Sequence, residues 1–195
     1  MQPKKDILLK WLIIIIIFAC IILFFISIAL RSEFSYDFLA TILIAILLYT
    51  LRIKLNQNRY TIIFGLAALM LHNMGVFGIY GLSLGPFRFE HIMHLIGGLA
   101  GFVMSYHFVY RLTPGKRVFA AILIAIGGGA IIEIIEYLGY GVLGAGEGLF
   151  FYGVGDYGDW ANTSIDMINN LFGASIGAII YALRSRKSRR LKTDD

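Results

Sequence analysis

Apolar residues in this chain run in long stretches, broken by short polar gaps. A helix needs about 20 mostly apolar residues to cross the hydrocarbon of a bilayer. On that measure the pattern predicts six spans, near residues 7–30, 36–51, 60–82, 91–110, 118–139 and 164–183. The second is short and the third has no sharp end. The fold class that follows is all-α: an integral membrane bundle of about six transmembrane helices. It forms one polytopic domain over 1–195 and ends in a basic tail over 184–195. No internal repeat, heptad pattern or low-complexity linker divides it.

Composition agrees with the pattern: 58% of residues are hydrophobic and 15% charged, which excludes an ordinary water-soluble core. Charge adds a direction. Basic residues fall in alternate gaps, at Lys4, Lys5 and Lys10, at Arg52, Lys54 and Arg59, at Arg111, Lys116 and Arg117, and from Arg184 to Lys192. Arg31 and Arg88 are the exceptions, and most acidic residues share their side. Basic loops mark the cytoplasmic face, so both termini are expected in the cytoplasm of a cell whose inner membrane holds the protein. The glycine-rich connection between spans five and six, from Tyr140 to Thr163, then faces outward, and its aromatic residues suit an interfacial lid. The first span is expected to stay as an anchor, because its apolar run exceeds a signal-peptide core and Ser27-Ile28-Ala29 is a poor cleavage site. Cys20, the single cysteine, reads as a small buried apolar residue and excludes an internal disulfide. The expected partners are the bilayer itself and anionic lipids at the basic tail, worth about 1 kcal/mol per residue. Nucleic acid is not expected.

The candidate chemistry lies in polar residues inside the spans, where an ionisable group costs on the order of 3 kcal/mol. Span four opens Glu90-His91-Ile92-Met93-His94, span five carries Glu133 and Glu136, and span six carries Asp166, Asn169 and Asn170. Spacings of three and four put each set on one helix face. At 1.5 Å per residue the key members lie within about 10 Å of the outer boundary. His72 of span three is expected to approach from nearer the midplane, and Asp156 and Asp159 to fold over the layer from the loop.

Carboxylates and imidazoles crowded in a low dielectric must share protons or face a cation. A divalent metal suits them: Zn, Mn or Fe with a neutral imidazole, Mg or Ca with an all-oxygen subset. The expected ligands are His94, Glu136 and Asp166, with Glu90 and His91. Glu133, Glu136 and Asp159 are the candidates for acid–base work, and Asn170, His72 and Asn162 stand behind them as hydrogen-bonding support. The resulting reading is a metal-dependent hydrolase or transferase acting on a lipid or envelope component. Two alternatives stay open: a non-catalytic membrane accessory factor whose polar cluster holds helices together, and a proton or metal-ion transporter. Gly173-Ala174-Ser175-Ile176-Gly177 matches the G-x-S-x-G string, but inside a span it reads as a packing face, as do Gly97 and Gly101 of span four and Gly127 to Gly129 of span five. His107 stands apart from the cluster and reads as structural.

The order of these polar elements resembles a known family. Thr61-Ile62-Ile63-Phe64 through His72-Asn73, Glu90-His91-Ile92-Met93-His94, Glu133-Ile134-Ile135-Glu136-Tyr137 and the run from Gly158 to Met167 resemble the YjdF-like small membrane proteins, with Asn170 and Gly173 completing the last element. A looser likeness extends to VanZ-like proteins. The resemblance spans about residues 60–180 and implies no established reaction. Asn162 and Asn73 stand where that pattern has acidic residues, and Asp156 is placed to compensate for the first.

Overall fold

The computed structural model describes residues 7–30, 32, 35–85, 87–143 and 159–190. Six α-helices account for most of them: α1 (Ile7–Ala29), α2 (Ser35–Leu51), α3 (Arg59–His72), α4 (Phe89–Phe108), α5 (Pro114–Leu143) and α6 (Asp159–Arg190). Four stretches are long and apolar enough to cross a membrane, Ile7–Ala29, Arg59–Phe77, Pro114–Leu138 and Thr163–Leu183, while α2 is a shorter apolar helix. The 20-residue α4 falls outside that set. It carries three histidines and Glu90 and is the central element, packed most extensively on α6, then on α5 and α3.

Helix ends follow local chemistry. The Asn58 side chain caps α3, accepting from the backbone of Tyr60 at 2.9 Å and Thr61 at 3.0 Å. Pro114 opens α5, where its missing N–H costs nothing. The third span departs from the expected continuous helix to residue 82. After His72 the backbone tightens into a 3-10 turn over Asn73–Phe77 and reverses at Gly78, whose φ of 75° suits a residue without Cβ. A second short turn over Ile79–Gly81 leads to a two-residue hairpin, β1 (Ser83–Leu84) and β2 (Phe87–Arg88), the small exception to an all-helical chain. His72 therefore ends its α-helix, while still lying within the apolar stretch Arg59–Phe77. The fifth and sixth helices overrun their predicted limits, α5 reaching Leu143 and α6 reaching Arg190, so the first part of the basic tail continues a helix.

Two apolar clusters organise the packing. Leu9, Ile13, Ala45, Leu48, Ile62 and Leu66 join α1, α2 and α3; Phe102, Tyr106, Ala121, Ala125 and Ala174 join α4, α5 and α6. Large apolar side chains cover the outside instead of hiding, among them Trp11, Phe18 and Phe25, spaced seven apart along one face of α1. Such an exterior suits hydrocarbon as its solvent. Cys20 is buried against the Met70 sulfur at 3.7 Å.

Glycines set the α4–α6 contact. A Cβ at Gly173 would overlap the backbone carbonyl of Leu95, and one at Gly98 would overlap the backbone of Asn170. The G-x-S-x-G string is helical, with Ser175 Oγ donating to the Leu171 carbonyl at 2.8 Å. It is a packing face, as expected. In α4 Gly98 makes the close approach to α6 and Gly97 faces an internal cavity, while Gly101 borders that cavity and also packs on α5, where a Cβ would come 3.3 Å from the Ala125 Cβ.

The helices alternate so that connections sort to two ends. At one end Asn56 Nδ2 donates to the His107 carbonyl at 3.2 Å, Gln57 Nε2 donates to the Met104 carbonyl at 2.9 Å, and Asn58 Nδ2 lies 3.2 Å from His107 Nε2. This ties the basic α2–α3 connection to the basic α4–α5 end and confirms His107 in a structural place. The acidic residues gather at the other end.

Candidate functional site

Glu90 lies in the first turn of α4 and His94 one turn further, on the same face. His91, between them, faces elsewhere: its Nδ1 accepts from the Arg88 backbone at 3.3 Å and so helps close the helix start. Asp166 and Asn170 come from α6, Glu133 and Glu136 from α5. Asn170 Nδ2 donates to His94 Nδ1 at 3.2 Å. The opposite nitrogen, Nε2, stands 3.6 Å from Asp166 Oδ1 and 3.8 Å from Glu133 Oε1.

Those separations are too long for hydrogen bonds. Ligand atoms about 2.1 Å from a tetrahedral zinc are about 3.4 Å apart, and opposite oxygens around calcium are about 5 Å apart. Glu90, His94 and Asp166 each offer one ligand atom, all within 4.8 Å of one another. Asp166 is 1% exposed and Glu133 8%. Glu133 Oε1 has no hydrogen-bond partner among the described residues, although Thr163 engages the same carboxylate group. A buried, partly satisfied carboxylate aimed at an imidazole is the arrangement that a cation relieves.

Glu136 does not join that group of three. It lines the adjacent cavity with Arg88 and Glu90, and Arg88 Nη1 lies 3.9 Å from Glu90 Oε2. Asp159 and Asn162 stand at the start of α6, but their side chains lie outside the described residues, as do Asp156 and the glycine-rich segment 144–158.

A second polar group flanks the first; it is built on His72, with Asp37 and Tyr80 as partners that the sequence did not single out. Asp37, at the start of α2 and 1% exposed, places Oδ2 3.4 Å from His72 Nε2. His72 Nδ1 is hydrogen-bonded by the Tyr80 hydroxyl, and Asn73 Nδ2 donates to Thr41 Oγ1 at 2.9 Å. Tyr80 lies beyond the end of the α3 span; burial, followed by the charge of Asp37, raises its phenol pKa, so the hydroxyl keeps its proton to donate. The depth arithmetic that singled out Asp166 applies equally to Asp37, two residues into its helix. Tyr80 had no such signal, because the folded-back turn after Gly78 brings it in.

Both groups open onto one cavity of about 340 Å³. Small residues make the room. Gly97, Ala100 and Gly101 face it from α4, Ala125, Gly128 and Gly129 from α5, and Gly65 and Ala68 from α3. A Cβ at Gly129 would meet Asn170 Nδ2 at 2.5 Å, so that glycine admits the asparagine. One at Gly128 would meet nothing within 4 Å.

The family profile described as "Predicted membrane protein (DUF2238)" matches residues 9–187. No curated protein and no solved structure matches the chain.

Proposed function

The chain belongs to the DUF2238 family of predicted membrane proteins, to which the YjdF-like pattern pointed, and we propose that it is a metal-dependent hydrolase or transferase acting on a lipid or envelope component. The observation that carries this reading is the convergence of Glu90, His94 and Asp166 within 4.8 Å beside a cavity. These three would hold the ion, with Glu133 next to them. A divalent ion in such a place polarises a phosphoryl or carbonyl oxygen and acidifies bound water.

The chain's own groups supply the rest. Asn170 fixes the His94 ring through Nδ1; if His94 held an ion through its other nitrogen, Nδ1 would keep its proton and the Asn170 amide would present its oxygen to it. Glu136, in the cavity wall, is placed to take or return a proton at a substrate held there. Arg88 balances the acidic charge and offers its guanidinium to an anionic group. The basic connections lie at the far end, so the charge rule directs the site to the outer leaflet of the cell membrane.

One observation favours an accessory role for part of the cluster: Asn170 also fills the space beside Gly98 and Gly129, where it serves helix packing. The transport reading has less support, because among the described residues the far half of the cavity, at Leu48, Met104 and Ile124, is lined by apolar side chains. Hydrolysis of phosphate or ester lipids in proteoliposomes tests the proposal. Chelator-sensitive turnover that disappears in His94→Gln supports it; turnover unaffected by that variant overturns it.

A further inference from the structure

Each of four helices turns one stripe to the cavity, and every stripe changes character in the same direction. On α4 it runs from Glu90 and His94 to Gly101 and Met104; on α2, from Asp37 and Thr41 to Ile44 and Leu48. Likewise α3 passes from His72 back to Leu69 and Gly65, and α5 from Glu136 back to Ile132 and Ala125. From Glu90 to Met104 the slot is about 21 Å long at 1.5 Å per residue, a large part of a hydrocarbon core about 30 Å thick.

We infer that this slot holds the single alkyl chain of a phosphate-headed amphiphile, tail toward Met104 and Leu48 and phosphate against Arg88 and the Glu90–His94–Asp166 group. The tail end is apolar on every described wall, so water there has no partners and a chain of methylenes does. Its volume of about 340 Å³ lies in the range of small-molecule pockets. It lies between the α1–α3 and α4–α6 clusters and is bordered by members of both, Leu48 of the first and Ala125 of the second. At the polar end Arg88 is, among the described residues, the permanently cationic lining side chain, and its Nη1 lies 3.9 Å from a carboxylate oxygen of Glu90. That distance leaves guanidinium donors for a phosphate, which matches their fork. The headgroup contact rests on the cation reading proposed above; the tail contact does not.

Gly127 and Gly128 make a matched pair for the test. A Cβ at either meets nothing within 4 Å, but only Gly128 lines the cavity. Protein in nanodiscs is irradiated with hexadecyl phosphate carrying a terminal diazirine, with and without unlabelled hexadecyl phosphate, and adducts are mapped by mass spectrometry. Wild type and Gly127→Leu are expected to label near Met104 and Leu48 in a competable way. Gly128→Leu should reduce that labelling about tenfold, because the added side chain overfills the slot. Ala68→Leu, from α3, should do the same by an independent route. Competable labelling in Gly128→Leu and Ala68→Leu equal to wild type overturns the slot, as does labelling confined to outward residues such as Phe18. A chelator arm separates the two readings: protein found to bind no metal that still labels in a competable way upholds the slot without the cation, whereas metal-loaded protein without competable labelling overturns the slot alone.

Discussion

The Nε2 of His94 lies 3.6 Å from Oδ1 of Asp166, and this approach joins the start of α4 to the start of α6. It depends on the same helices touching backbone to backbone at Gly98 and Gly173. Packing and chemistry therefore share one interface. Replacing Gly98 or Gly173 by Ala should destabilise the protein by at least about 2 kcal/mol through overpacking, measured by unfolding in detergent. Gly127→Ala, where the Cβ is free, should be neutral or gain up to about 1 kcal/mol from helix propensity. Equal behaviour of the three variants would contradict the packing account.

A second prediction concerns Asp37 and His72. Their separation of 3.4 Å is expected to give a coupling of about 0.6–1.7 kcal/mol in a double-mutant cycle with Asp37→Ala and His72→Ala. Additive effects on stability would show that the two do not interact.

Tyr80→Phe separates the two polar groups. The ring stays packed on Phe89, with centroids 5.5 Å apart, and only the hydroxyl on His72 is lost. The expected cost is about 1 kcal/mol, with metal content unchanged. A loss of metal in this variant would place Tyr80 in the ion site.

Sidedness is open to labelling. Cys20 is buried, so in a Cys20→Ser background single cysteines report cleanly. A cysteine at Ser83 should react with an impermeant maleimide on intact cells, and one at Lys54 only after permeabilisation. The reverse pattern would put the acidic end in the cytoplasm.

The six helices were legible because length and hydropathy are local properties, and the bundle has few ways to break them. The gathering of His94, Glu133, Asp166 and Asn170 was legible for a related reason: in alternating helices, depth follows from residue count. What could not be read was lateral. Depth placed Glu136 among the ligands, yet it faces the cavity while Glu90 completes the group of three. His91 shares the spacing of a ligand, and its Nδ1 serves the helix start instead of joining the group of three. Gly97 was assigned to packing along with Gly101, yet Gly101 packs on α5 while Gly97 faces the cavity and Gly98 meets α6, because a stripe of small residues does not say whether a helix or a void lies opposite. The turn at Gly78, which delivers Tyr80 to His72, came from a break in a span that hydropathy draws as continuous.

Metal stoichiometry tests the central claim most directly. Protein purified without chelator and loaded with Zn, Mn or Mg is analysed by elemental mass spectrometry, alongside His94→Gln, Asp166→Asn and Glu136→Gln. The account predicts about one tight divalent ion per chain, the number one site holds. It predicts loss of that ion in His94→Gln and Asp166→Asn, and retention in Glu136→Gln. Wild-type protein that stays folded without binding any of these ions, or that holds them equally well without His94 and Asp166, contradicts it.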